Sequence, residues 1–179
     1  MRLAAIIQKN APKYLYFQGN INLLASKGIG FCGLRKSSDK GLQTARDCAG
    51  QAAANGLTVV SGNAAGIDFK AHYAVLSAGG TTILVIPEGI NHFGIKRKLA
   101  SVWTWQRVLV ISQFNPDDVW RVYRAMTRNL VIIGLSRAMI VIEAGEKGGT
   151  MNAGLETLKH ETPLYVAEYH DMSVDARGN

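Results

Sequence analysis

Short, uninterrupted apolar runs alternate along this chain with stretches in which apolar positions recur at helical spacing. Gly28-Ile29-Gly30-Phe31-Cys32-Gly33 reads as a buried strand that ends on glycine. From Lys40 to Asn55, the residues Leu42, Ala45, Cys48, Ala49, Ala52 and Ala53 follow a helical period, and Asn55-Gly56 supplies a stop signal. Leu57 to Ser61 is the next strand, followed by a glycine-containing loop and a helix over about Gly66–Ser77. Further strands are expected at Thr81–Ile86, Val108–Ser112 and Ala138–Ile142. Met151 to His160 then reads as a helix and Pro163 to Ala167 as a last strand. Strands that are apolar throughout are expected where helices cover both faces of a sheet. The β-α-β-α order therefore predicts an α/β fold with a doubly wound, mostly parallel sheet. In such sheets ligands sit beyond the carboxyl ends of the strands, near the switch point. That rule brings the loops at 33–38, 62–68, 87–94 and 143–150 to one rim.

Composition narrows the picture. The 179 residues are 47% hydrophobic, enough for one compact core, and carry 20 Lys+Arg against 13 Asp+Glu, a net charge of +7. A mean hydropathy of +0.05 excludes a disordered chain. No apolar run reaches the roughly 18 residues of a spanning helix, so no membrane partner is expected. Met1 to Lys9 is too short and too soon polar for a secretory signal. Cys32 and Cys48 fall in predicted core segments and form no metal-ligand pattern. The expectation is a reduced, cytoplasmic protein with no metal and no cofactor. Residues 1–140 hold 17 basic and 6 acidic side chains, a net of +11, whereas 141–179 hold 3 and 7. A basic body suits a polyanion, because cations that neutralise phosphates release counterions. Solubility alone accounts for the same balance.

The candidate chemistry lies in the rim loops. Gly33 lets backbone approach a ligand, Arg35 and Lys36 add charge, and the helix that follows offers free N–H groups to an anion. A solvated basic turn is the alternative. Ser61, Gly62, Asn63, Gly66 and Asp68 have the layout of a phosphate cradle opening a helix. Asp68 serves equally well as a cap in the first helical turn. His72 shares its helix face, but two such residues without a third ligand make a poor metal site. Arg121, Arg124 and Arg128 are spaced for one helix face, interleaved with Trp120 and Tyr123, which suits a phosphate backbone with stacking bases. An amphipathic helix with a solvated polar face is the alternative. Gly148, Gly149 and Thr150 offer donors at another helix start, and Glu143 and Glu146 are either acids or ribose partners, or else capping and surface groups. No nucleophile elbow, Walker motif or cysteine–histidine motif is present in the sequence.

Taken in order, five segments resemble the DNA-processing protein A (DprA/Smf) family. They are Tyr14–Asn20, Gly33-Leu34-Arg35-Lys36, the Ser61–Asp68 run with Ala71-His72, Arg128-Asn129 with Ile133-Gly134-Leu135-Ser136, and Val141–Gly145. The likeness covers roughly residues 12–168. It implies a Rossmann-like fold that binds single-stranded DNA in a basic pocket and hands it to a RecA-type recombinase during natural transformation. It also implies a homodimer without catalytic turnover. By the motif match Arg35, Lys36 and Arg128, with Asn129 beside it, are phosphate contacts, and Gly62, Gly66 and Asp68 shape the adjoining loop. The chain departs from the pattern at Asn63 (leucine in the family), Ala65 (arginine) and Leu130 (usually basic). The expected layout is a lead-in segment over 1–20, the core domain over 21–170 and a tail over 171–179. The family's N-terminal helical and C-terminal winged-helix modules are not expected within it. The chain also resembles the LOG phosphoribohydrolases of the same superfamily. There Arg128-Asn129 and Gly148-Gly149-Thr150 look like remnants of two motifs, with Ala153 where a catalytic glutamate is required. A nucleotide-binding sensor or LOG-like phosphoribohydrolase is thus the alternative function.

Overall fold

The computed structural model describes residues 2–172 and 174–179. Met1, which begins the expected lead-in segment, and Ser173, in the expected tail, lie outside the described residues. Seven strands form one sheet in the order β1-β5-β4-β3-β2-β6-β7. They are β1 (Tyr16–Gly19), β2 (Gly28–Gly33), β3 (Thr58–Ser61), β4 (Thr81–Val85), β5 (Val108–Ser112), β6 (Ser136–Ile142) and β7 (Leu164–Val166). Every pairing is parallel except β1 with β5 at one edge. This is the mostly parallel α/β sheet that the apolar runs predict.

The helices are α1 (Arg2–Ile7), α2 (Asp39–Ala54), α3 (Ile67–Ser77), α4 (Val122–Thr127), α5 (Asn129–Leu135) and α6 (Gly149–Lys159). Alternate strand residues feed two cores, one on each face of the sheet. On one face Val59, Leu84, Val108 and Val110 pack under the alanine-rich side of α2 and under Ile67, Ala71 and Val75 of α3. On the other face Val60, Ile83, Leu109 and Ile111 meet Val131, Ile132 and Ile133 of α5 and Leu3 and Ile7 of α1. The small side chains Ala45, Ala49 and Ala52 are 0–4% exposed and let α2 lie close to the sheet and to α3. Three residues of the expected lead-in segment show how firmly it joins the core: Leu3 and Ile7 are buried, and Phe17 pairs with Ile111 across the edge.

The chain builds β2 to β5 outward in one direction, then returns to place β6 on the other side of β2. The switch point therefore lies between β2 and β6, and it fixes where the carboxyl ends of the strands open a cleft.

Candidate nucleic-acid interface

A cleft of about 640 Å³ opens at that switch point. This volume falls in the roughly 300–1,000 Å³ range of ligand sites. Its floor is Cys32 and Gly33 at the end of β2, and its sides come from the loops at 34–36 and 145–150 and from residues 120–129. A larger hollow of about 870 Å³ lies along the outer groove between α2 and α3, away from the strand ends.

Three helices open toward this rim, and their N-termini differ. Behind Arg35 and Lys36, the N-terminus of α2 already holds an anion of the protein's own. The buried Glu143 carboxylate occupies that end: it accepts from Ser38 N at 2.8 Å, from the Ser38 hydroxyl and from the Tyr169 hydroxyl. Glu143 thus fills an internal anion site rather than facing the cleft. At α3, Asp68 closes the first turn by accepting from Ala64 N at 3.2 Å. By contrast, α6 starts at Gly148 with φ +112°, without a side-chain cap and without an acidic residue in its first turn. Gly148, Gly149 and Thr150 line the cleft, and Gly148 and Gly149 face open space. The start of α6 is therefore the rim position where backbone donors remain available to an anion.

Arg128 completes this site. It sits at the joint of α4 and α5, and its side chain is 9% exposed. One guanidinium nitrogen stands 3.5 Å from Asp68 Oδ2, a long contact, and the buried Nε has no hydrogen-bond partner. A guanidinium cannot shed its charge, so this is a buried and only partly paired cation in the lining of the cleft. Asn129 stands beside it, its amide 3.4 Å from Gly149 O, and Arg35 and Lys36 line the entrance, exposed. The carboxylates lining the cleft are Asp68 and Asp175. Burial pushes the Cys32 thiol up to about 12, which keeps it protonated.

The loop at 62–66 is fixed from behind by neighbouring side chains. Its carbonyls are turned inward: His72 Nε2 donates to Gly62 O at 2.7 Å, and Lys96 donates to Asn63 O and Ala64 O at 2.6 and 3.2 Å. Gly66 adopts φ +73° with Leu34 O and Arg35 O where a side chain would stand, so two rim loops touch there. Ser61 is buried and donates to Phe31 O at 2.7 Å. Lys96 escaped the sequence reading because nothing in its local pattern ties it to a loop some thirty residues earlier.

The three arginines expected on one helix face do not share one. Arg121 is extended and exposed ahead of α4. Arg124 is taken up by Asp118 at 3.0 Å and by Val119 O at 2.8 Å, with its guanidinium over the Phe114 ring. Only Arg128 of the three lines the cleft. Asp118, six residues before Arg124, is the acidic partner that the spacing argument overlooked.

Burial pushes the His72 imidazole down to about 4 from its ordinary 6.5, so the folded protein keeps it neutral. The unfolded chain takes up that proton near its ordinary pKa. Stability from this residue is therefore full above pH 6.5 and is lost as pH falls toward 4, by about 3 kcal/mol. Urea unfolding at pH 7 and pH 4 is expected to show this loss in the wild type and a smaller one in His72→Gln. Equal losses would mean that the folded protein protonates His72 as readily as the unfolded chain does.

A family model, DNA recombination-mediator protein A, matches residues 1–179. The DNA processing protein DprA of Streptococcus pneumoniae is 35% identical over 143 residues, covering 79% of this chain and 50% of that protein. This chain thus spans about half the length of that relative. The X-ray structure of the pneumococcal protein aligns with a TM-score of 0.87 at 29% identity, over 99% of this chain and 62% of the other. DNA processing protein A from Helicobacter pylori, described for its single-stranded DNA binding mode, aligns with a TM-score of 0.83 at 26% identity, over 96% and 80%. No described helix is long and apolar enough to cross a membrane.

Proposed function

We propose that this chain, which belongs to the DNA recombination-mediator protein A family, binds single-stranded DNA in the cleft between β2 and β6. The observation that carries this reading is Arg128: a buried guanidinium with an unpaired Nε, lining one cleft with the uncapped start of α6. A phosphate would accept from both, and the exposed Arg35 and Lys36 would hold its neighbours along the strand. The site binds and does not turn over its ligand. As a recombination mediator, the protein would present the strand to a RecA-type recombinase in the cytoplasm and act as a homodimer. Three positions give little support to hydrolysis of a nucleoside phosphate: Ala153 is buried in α6, Glu143 is held by Ser38 and Tyr169, and Asp68 faces Arg128.

Fluorescence anisotropy with a labelled oligonucleotide, repeated across sodium chloride concentration, tests the proposal. Affinity is expected to fall steeply with salt. Arg128→Met is expected to weaken binding about 10- to 100-fold, the range for a charged hydrogen bond, and to lower the salt slope by about one phosphate contact. Absence of binding at low salt would overturn the reading.

A further inference from the structure

We propose that residues 119–126 form a stacking shelf for the nucleobases of the strand whose phosphates Arg128 holds; this rests on the single-stranded DNA reading above. Five of these eight residues are large, apolar and exposed: Val119 50%, Trp120 46%, Val122 64%, Tyr123 61% and Met126 40%. So much apolar surface in one short segment marks a binding face. Trp120, Val122 and Met126 line the same cleft as Arg128 and the start of α6. An apolar wall alone would suit many partners. One that shares its cleft with a buried, half-paired cation and free helix donors suits a ligand that is both anionic and flat, which describes a nucleotide strand.

The shelf is also braced before any ligand arrives. Asp118 accepts from Gly89 N at 2.7 Å through its carbonyl and from Asn115 N at 3.1 Å through its carboxylate. Arg124 ties Asp118 to Val119 O and lies over the Phe114 and Tyr123 rings at 5.2 and 5.7 Å. Arg124 therefore acts as a strut beneath the shelf. A surface held in place loses little freedom when a base settles on it.

Two strands of equal length separate base from backbone: an ordinary oligonucleotide and one whose nucleotides are abasic. The wild type is expected to bind the abasic strand about tenfold or more weakly, the loss associated with removing base–aromatic stacking. Trp120→Ala is expected to lose about tenfold on the ordinary strand, little on the abasic one, and to leave the salt slope unchanged. Trp120→Phe, which keeps a stacking face, should stay close to wild type. Trp120 is half exposed, so these variants keep the fold. Equal affinity of the wild type for both strands, or an unchanged Trp120→Ala, would overturn the shelf and leave the phosphate site standing. Failure of the wild type to bind either strand would overturn both.

Discussion

Asp68→Ala is expected to destabilise the protein by about 3 kcal/mol, the lower end for removing one partner of a buried ion pair. Asp68 is 5% exposed and Arg128 8%, so neither charge is well served by water. Their contact is long, at 3.5 Å, which sets the estimate low in the range. Without the carboxylate, the guanidinium stays buried beside no anion, and Ala64 N loses its acceptor. The first turn of α3 also loses its acidic residue. Urea unfolding of Asp68→Ala, Arg128→Met and the double variant measures the coupling. The double variant should be more stable than the two losses added together, because it strands no charge. Simple additivity would mean that the pair is not coupled. An oligonucleotide should also raise the Tm of Asp68→Ala more than that of the wild type, since its phosphate would supply the missing anion.

Gly62→Ala is expected to weaken single-stranded DNA binding about 10- to 100-fold, as Arg128→Met does. A Cβ at Gly62 would stand 1.8 Å from one guanidinium nitrogen of Arg128 and 2.2 Å from Cζ and the other. The backbone there needs no glycine conformation, and the obstacle is the end of a long side chain. The chain can therefore fold, at a cost of about 1–3 kcal/mol for overpacking, with the guanidinium driven from its place. Anisotropy titration checks the loss, and adding Gly62→Ala to Arg128→Met should weaken binding no further. Wild-type affinity in Gly62→Ala would show that the position of the guanidinium is irrelevant to binding.

Most of the sheet is legible in the sequence because strands buried on both faces must be apolar throughout. Val59-Val60 and Leu109-Val110-Ile111 send alternate side chains into the two cores, so no polar position interrupts them. The helix α5 is not legible for the same reason: Val131 to Leu135 is buried all round, and a short continuous apolar run has no period to read. The edge strand β1 is held by pairing with β5, some ninety residues away, rather than by its own pattern. In the site, the glycines and charges of the rim loops can be read locally, and Gly33, Arg35, Lys36, Arg128 and Gly148 do line the cleft. What local reading misses is the set of partners that consume a charge or a helix end. Glu143 reaches Ser38 across 105 positions, and Arg128 reaches Asp68 across 60. Spacing along the chain carries no trace of either.

The loop at 62–66 is held almost wholly by its main chain. His72 and Lys96 grip the carbonyls of Gly62, Asn63 and Ala64, and Asp68 takes the Ala64 amide. The side chains at positions 63, 64 and 65 thus bear little of the burden of shape, and Ala65 points into open water. Such a loop is an evolvable cassette: its residues can be exchanged while the curve they ride on stays fixed from outside. Exchanges at positions 63 and 65 would then change what the rim presents without rebuilding the rim.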